Sequence, residues 1–438
     1  MATPPTTADR LVGGRTVAAA VGAWAGVIAV SRLWGVELLR RRPEVSVTAI
    51  PLMGSWELRL GPGLVVSVAL AVAAAAAAPG LARRLSWPAL LVAVTLAGAT
   101  WATALALGDG PDALTRPLTT RWEYLQAVPE VGDAPGRYLD GYVERLGDAP
   151  LHVKAHPPGM VLVLWGLDRL GLGGPGWAAA LLIGAGASAG TAAAVALREL
   201  AGEGAARAAV PFLAFSPAAV WLATSGDALF AGVVAWAIAL SVVATGRAGR
   251  GGDLAALGAG VMAGTALHLT YGAVPMLFAV PIVAAARRRP RPLAVAGGGA
   301  AVVTAAFAVA GFWWPDGLDA TRRFYAEGVA MWRPWSYFVV GNLGALALAV
   351  GPAAAVGLAS LRDRGAGLIV GAAVLGVAAA DLSGLSKGEV ERIWLPFVPW
   401  LLAATAAPLP GGEGGRRWWL VAQLALGVGL QAWLRSPW

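Results

Sequence analysis

The chain contains no cysteine. Disulfides, thiolate nucleophiles and cysteine-ligated metal centres are therefore excluded. Lysine is nearly as scarce. Of 33 basic residues all are arginine except Lys154 and Lys387. Charge of any kind is thin: Asp, Glu, Lys and Arg make up 13% of the 438 residues, where a soluble domain carries about 25%. That deficit excludes an ordinary soluble enzyme of this length.

Apolar residues fill the gap, at 58% of the chain with a mean hydropathy of +0.66. A transmembrane helix needs about 20 mostly apolar residues. Runs of that kind are read at 17–34, 63–82, 87–107, 176–197, 206–223, 228–246, 254–270, 272–286, 294–313, 336–358, 367–383, 393–408 and 418–434. They predict an all-α, polytopic membrane protein of about 13 spans, forming one membrane body over 1–438. Several runs are rich in Ala and Gly, which lets helices approach closely in lipid. The first run lacks a small-residue cleavage pattern and reads as a retained span.

The net charge of +8 and pI near 10.5 do not point to nucleic acid. The arginines come in pairs between apolar runs, not as a basic stripe interleaved with aromatics. With the N-terminus cytoplasmic and the spans alternating, the inner segments hold Arg10/Arg15, Arg83/Arg84, Arg198/Arg207, Arg247/Arg250, Arg287 to Arg291, Arg362/Arg364 and Arg416/Arg417. Each therefore satisfies the positive-inside rule. The pattern requires that the apolar stretch 157–172 does not cross, so a short interfacial or re-entrant helix is expected there. Arg40, Arg41 and Arg42 break the pattern by falling outside, at headgroup level.

The outer face then carries four polar regions: 35–62, 108–157 continuing through the interfacial helix to 175, 314–335 and 384–392. Two of them mix aromatics with charge, as in Arg121-Trp122-Glu123-Tyr124, Arg322-Arg323-Phe324-Tyr325 and Trp332-Arg333-Pro334-Trp335. The spans are almost free of acids; Asp227 and Asp381 are exceptions near outer helix ends, and charge at membrane depth usually faces a cavity. Cations and acids gathered beside lipid suit a ligand with an anionic headgroup and a lipid tail. Sugar transfer from such a lipid needs a carboxylate to take the acceptor proton, Arg or Lys to stabilise the departing phosphate, and aromatics against the sugar. Each candidate also has a plain structural role open to it: Lys154 as an interfacial anchor, His156 as a helix cap, Arg121 and Glu123 as a surface pair, and Trp313 and Trp314 as aromatic-belt residues.

The long loop ends in His156-Pro157-Pro158-Gly159 and leads into an apolar helix. In this it resembles membrane glycosyltransferases of the GT-C fold. Further stretches resemble an actinobacterial family that includes methylthioxylose transferases: Leu118 to Leu125, Lys154 to Gly159, Ala223 to Phe230, Gly311 to Gly317 and, most specifically, Asp381 to Trp394. The resemblance implies a GT-C-like bundle in the plasma membrane. It implies transfer, on the extracytoplasmic face, of a sugar from a polyprenyl-phosphate donor to a cell-envelope glycan or glycolipid. Such enzymes often place a catalytic Asp in the first outer loop, but 35–62 holds Glu37, Glu44 and Glu57 and no Asp. The base is accordingly Glu57, Asp109 or Glu123. Arg121, Lys154, Lys387 and Arg392 are expected on the donor phosphate, and Tyr124, His156, Asp227, Trp314, Glu389 and Glu391 on the substrates. No resident cofactor is expected beyond a divalent ion (Mg or Mn), should the reaction use one. The alternatives are a lipid-linked glycan transporter or flippase, an envelope glycan polymerase or ligase, and a scaffold subunit.

Overall fold

The computed structural model describes residues 13–437; Arg10, expected at the inner end, lies outside them. The long helices are α1 (Gly14–Arg41), α2 (Pro62–Arg84), α3 (Trp87–Ala106), α4 (Gly159–Arg169), α5 (Pro175–Ala201), α6 (Glu203–Ala214), α7 (Gly226–Gly246), α8 (Gly249–Leu269), α9 (Pro290–Val309), α10 (Trp314–Glu327), α11 (Trp335–Ser360), α12 (Arg364–Leu382) and α13 (Gly412–Trp433). Proline occupies the first turn of α2, α3, α5, α9 and α10, where its missing N–H costs nothing. A two-stranded antiparallel pair, Ser55–Trp56 with Leu434–Arg435, ties the first polar loop to the end of α13.

Eight of the described helices are long and apolar enough to cross a membrane, fewer than the about 13 spans that hydropathy predicts. The runs 254–270 and 418–434 form the unbroken helices α8 and α13 but fall outside the eight; for the other three the physical reason is proline. The run 206–223 breaks after α6, where Ser216-Pro217 opens a 3₁₀ turn. The run 272–286 splits into Ala273–Met276 and Ala279–Ala286 at Leu277-Phe278, between Pro275 and Pro281. The run 393–408 falls into short turns carrying Pro396 and Pro399. Broken backbone is tolerable at membrane depth only inside protein, and Trp394, Leu395, Phe397, Trp400 and Leu402 are all buried. Within α11, Gly351 leaves helical geometry at φ 75 before Pro352. The buried Gln423 of α13 repairs the gap, donating to the Val350 carbonyl at 2.9 Å and accepting from the Ala353 N–H at 3.4 Å.

The centre of the bundle is α7, 83% buried over its apolar window, while α1, α2 and α9 are only 11% buried there. Apolar helices that stay this exposed are lipid-facing. Small residues set the contacts. Gly232 of α7 faces the Ala185 carbonyl of α5, and Gly260 and Gly264 of α8 face Ala296 and Ala300 of α9, each too close for a Cβ. The spacing of Gly260 and Gly264 is the small-xxx-small pattern of close helix pairs.

Contacts sort the polar segments into two groups. At one end, Arg83 pairs with Glu413, Arg207 donates to the Ala82 carbonyl, Arg287 to that of Glu199, and Arg416 to those of Ala208 and Thr405. At the other, Met53 meets Glu391, Val45 meets Arg333, Lys154 meets Thr321, Tyr325 meets Lys387, and Arg59 meets Asp109. The second group joins all four regions assigned to the outer face. Arg40 and Arg41, which broke the charge pattern, both pair with Glu37 on the last turns of α1. Helix α4 has 11 residues, about 16 Å at 1.5 Å each, roughly half of the ~30 Å hydrocarbon core. It lies against the long loop, with Trp165 donating to the Gly132 carbonyl at 2.8 Å and Arg169 paired with Asp133 at 2.6 Å.

Gly260→Ala drives a methyl group into the Ala296 carbonyl and is expected to cost about 1–3 kcal/mol. Gly297→Ala on the facing helix, where a Cβ meets nothing, should be neutral or slightly stabilising. Unfolding midpoints of the two variants in detergent check the contrast.

Candidate functional site

Two helix starts carry the charged side chains, α7 and the short turn Val390–Ile393, and each is preceded by a strained residue. Thr224 (φ 70) precedes Ser225-Gly226-Asp227, and Glu389 (φ 62) precedes Val390-Glu391-Arg392. Non-glycine residues in the left-handed region cost free energy and cluster at functional sites. The hydroxyl of Ser225 caps α7 by accepting the Asp227 N–H at 3.2 Å, and it donates to the Asp227 carboxylate at 3.0 Å. The negative end of Asp227 thus sits in the first turn of α7, where the helix dipole favours it.

Arg392 joins the segments. One guanidinium nitrogen meets Asp227 Oδ2 at 2.5 Å and another meets Glu389 Oε2 at 2.8 Å. Glu389 Oε1 also lies 3.4 Å from Arg333, which donates to the carbonyls of Lys387 (2.8 Å) and Val45 (3.2 Å). Asp227, Arg392 and Arg333 are at most 6% exposed, and Glu389 keeps 19% of its side chain accessible. Burial would push the Glu389 carboxyl up, but Arg392 and Arg333 hold it below its ordinary range. Burying four charges brings little net stability over well-packed apolar groups, so such a network is a candidate site.

Beside it stand two carboxylate and hydroxyl contacts to imidazoles. His152 Nδ1 lies 2.9 Å from Glu123 Oε1, and the Tyr124 hydroxyl lies 2.8 Å from His156 Nδ1. Burial lowers the His156 pKa to about 4, so the ring is neutral at physiological pH. The turn that presents it is pinned by Gly159, whose missing Cβ would strike the His268 carbonyl at the end of α8, and by the Tyr142 hydroxyl, which donates to the His156 carbonyl at 2.8 Å. Tyr124 in turn packs on Gly226, where an added Cβ would come within 3.0 Å of its ring.

The other expected residues are distributed as follows. Glu57 is exposed; Ser55 and Arg435 bind its carboxyl and hold it below its ordinary range. Asp109 forms an ion pair with Arg59. Both belong to the wall formed with the end of α13, apart from the Arg392 network. Arg121 stacks on the ring of its neighbour Trp122 at 4.1 Å. Lys154 donates to the Gly147 carbonyl at 2.5 Å and sits 5.6 Å over the Phe324 ring. Trp314 donates to the Leu267 carbonyl at 2.8 Å. Glu391 is fully buried, and its Oε1 accepts the Met53 N–H at 2.8 Å. Lys387 donates to the Ala330 carbonyl at 3.3 Å and lines a cavity of about 450 Å³ with Arg322, Arg323, Tyr325, Met331 and Leu385. A second cavity of about 230 Å³ is lined by Asp109, Arg116, Thr120, Thr224, Gln431 and Arg435.

Sequence reasoning passed over His152 as a site residue and saw Arg333 only as part of an aromatic run. A signal existed for the first: in a chain with three histidines, His152 lies one helical turn before His156. Arg333 had none, since its partners lie in Val45, Lys387 and Glu389. Among the described residues, no three His, Asp or Glu side chains gather as a group able to hold a metal ion.

No family model matches the chain, and no curated protein matches it. Among solved structures it is similar to ArnT from Cupriavidus metallidurans in the apo state, with a TM-score of 0.43 and 16% identity over 73% of this chain. The chain spans 59% of that protein's length.

Glu391 provides a pH test. Burial raises its carboxyl from 4.5 to about 7, so the fold favours the protonated form. Its contribution is fully present below pH 4.5 and is lost as the pH rises through about 7. Glu391→Gln should match the wild-type thermal midpoint near pH 4.5 and exceed it progressively up to pH 7–8, read as paired thermal scans across that range.

Proposed function

We propose that the chain is an integral membrane glycosyltransferase of the GT-C type, acting as one membrane body over 1–438. In this reading it moves a sugar from a polyprenyl-phosphate donor to a cell-envelope glycan or glycolipid on the extracytoplasmic face. The observation that carries it is the convergence of four polar segments at one end of an apolar bundle, around a buried Arg–carboxylate network beside a basic cavity. That cavity suits an amphiphilic anion. Lys387, Arg322 and Arg323 supply the cations, and Met331 and Leu385 expose apolar surface beside them.

The geometry supports the following roles. Lys387 with the two arginines takes the donor phosphate and stabilises the charge that grows on it as the sugar leaves. Of the three carboxylates named as bases, Glu123 is the one bonded to an imidazole, and the Glu123–His152 pair takes the acceptor proton. The acceptor oxygen then bonds the anomeric carbon, the bond from that carbon to the phosphate oxygen breaks, and polyprenyl phosphate departs with the electron pair. Glu389, the network's most accessible member, contacts sugar hydroxyls, while Asp227 and Arg392 hold it in place. Glu57 and Asp109, bound to Arg435 and Arg59, belong to the neighbouring wall.

The test uses purified protein in nanodiscs with a short-chain polyprenyl-phosphate sugar and an envelope-lipid extract. Release of polyprenyl phosphate with a glycosylated product is expected. Glu123→Gln should lower kcat by about 10²–10⁴-fold, and Lys387→Ala should lower kcat/KM by about tenfold or more. Movement of the lipid across a liposome bilayer with no sugar transfer would overturn the reading in favour of a flippase. A membrane-impermeant amine reagent applied to whole cells should modify Lys387 and Lys154; if neither reacts until the cells are opened, the face is the wrong one.

A further inference from the structure

The stretch Ser386 to Gly388 carries Lys387 but lies outside any helix or strand. It lies between left-handed Gly384 (φ 68) and Glu389 (φ 62), and its own Gly388 is left-handed too (φ 90). A loop of this kind is normally mobile, yet its backbone is held at four consecutive points by side chains from elsewhere. The Ser386 carbonyl accepts from Asn342 Nδ2 at 2.7 Å, and the Gly388 N–H donates to Asn342 Oδ1 at 3.2 Å. Between them, the Lys387 N–H donates to the Tyr325 hydroxyl at 2.9 Å, and its carbonyl accepts from Arg333 at 2.8 Å.

Asn342 is the hub. It lies in the upper part of α11, is 1% exposed, and also donates to Asp381 of α12 at 2.8 Å. Two donors and one acceptor are thereby in use, the complement that a primary amide offers in one orientation. Turning the amide over would set its NH₂ against the Gly388 N–H and its oxygen against a carbonyl, so the network itself fixes the orientation. An aspartate lacks the donors, a leucine lacks everything, and a glutamine is one methylene too long.

We infer that Asn342 is a positioning residue, which holds the Lys387 backbone so that the lysine ammonium is set at the wall of the basic cavity for a lipid phosphate. The inference rests on the proposed phosphate role of that cavity. Binding an anion then requires no ordering of the loop, because Asn342, Tyr325 and Arg333 have ordered it already. Burial raises the Tyr325 hydroxyl to about 12, so it stays neutral and available to the Lys387 N–H. A purely structural Asn342, serving only to pin α11 to α12 through Asp381, would affect stability and leave the reactivity of Lys387 in folded protein unchanged.

The chain's two lysines make the test residue-specific. Full-length protein in nanodiscs is acylated with an amine-reactive ester, and Lys387 and Lys154 are followed on separate peptides by mass spectrometry, with and without a polyprenyl monophosphate. In Asn342→Leu the lipid-free acylation rate at Lys387 should rise roughly 3–10-fold while Lys154 is unchanged. The lipid concentration that protects Lys387 should rise about tenfold, as should the donor KM in transfer, and kcat should fall as well because Lys387 also stabilises the departing phosphate. Tyr325→Phe removes one of the four anchors and should move the same readings less far; if Asn342→Leu does not fold, Tyr325→Phe alone decides. Unchanged Lys387 acylation in the folded variants overturns the positioning role. Wild-type Lys387 that polyprenyl monophosphate does not protect overturns the phosphate cavity, and the lipid-free rates then still report on Asn342.

Discussion

The contact between Arg392 and Asp227 is what the rest of this end of the molecule depends on. It joins residues 165 positions apart, one at the start of the most buried helix and the other in the short helical turn Val390–Ile393. A guanidinium removed from water cannot be left without carboxylates, and so Arg392 dictates where Glu389 sits. Glu389 then recruits Arg333, and Arg333 reaches both Val45 in the first polar loop and the Lys387 carbonyl. Helices in lipid gain little from apolar contact with each other. The chain here gains specificity from charge instead of from area.

Two kinds of packing therefore share one molecule. Between helices, glycine and alanine let backbones touch, as at Gly232 on Ala185 and Gly260 on Ala296. At the polar end, large side chains with matched donors and acceptors do the work, and nearly every irregular segment is tied to a helix by at least one of them. Thr321 on the Lys154 carbonyl and Glu391 on the Met53 N–H are examples. The result is a rigid floor beneath the cavities, with loops whose backbone needs are met before any ligand arrives.

Much of this was legible beforehand. Arginine pairs marked one end and aromatic–charge clusters the other, because both follow from the cost of placing charge in hydrocarbon. Asp227 stood out for the same reason, Glu389 and Arg392 through the resemblance carried by 381–394, and the structure brings those three together. The segments 206–223, 272–286 and 393–408 were misread as continuous spans, since a hydropathy window counts apolar residues and ignores whether Pro217, Pro275, Pro396 and Pro399 let the helix ladder continue. Glu57 and Asp109 looked like free carboxylates because their partners, Arg435 and Arg59, are visible only once strand Leu434–Arg435 folds back on Ser55–Trp56. Asn342 was invisible as a site: one polar residue in a long apolar run carries no pattern until its three partners are known.

The proline-broken segments also bear on how the chain can be built. A continuous apolar helix can wait alone in a bilayer, because its backbone groups satisfy one another. The turns of 395–406 cannot, since their carbonyls and N–H groups are sheltered by burial inside the protein. Among their contacts is Arg416 at the Thr405 and Ala407 carbonyls, reaching in from the start of α13. Biogenesis of this protein must therefore be ordered, with α7, α11 and α12 resident first and the fractured stretches admitted only when that cradle, and α13 after it, have arrived to receive them.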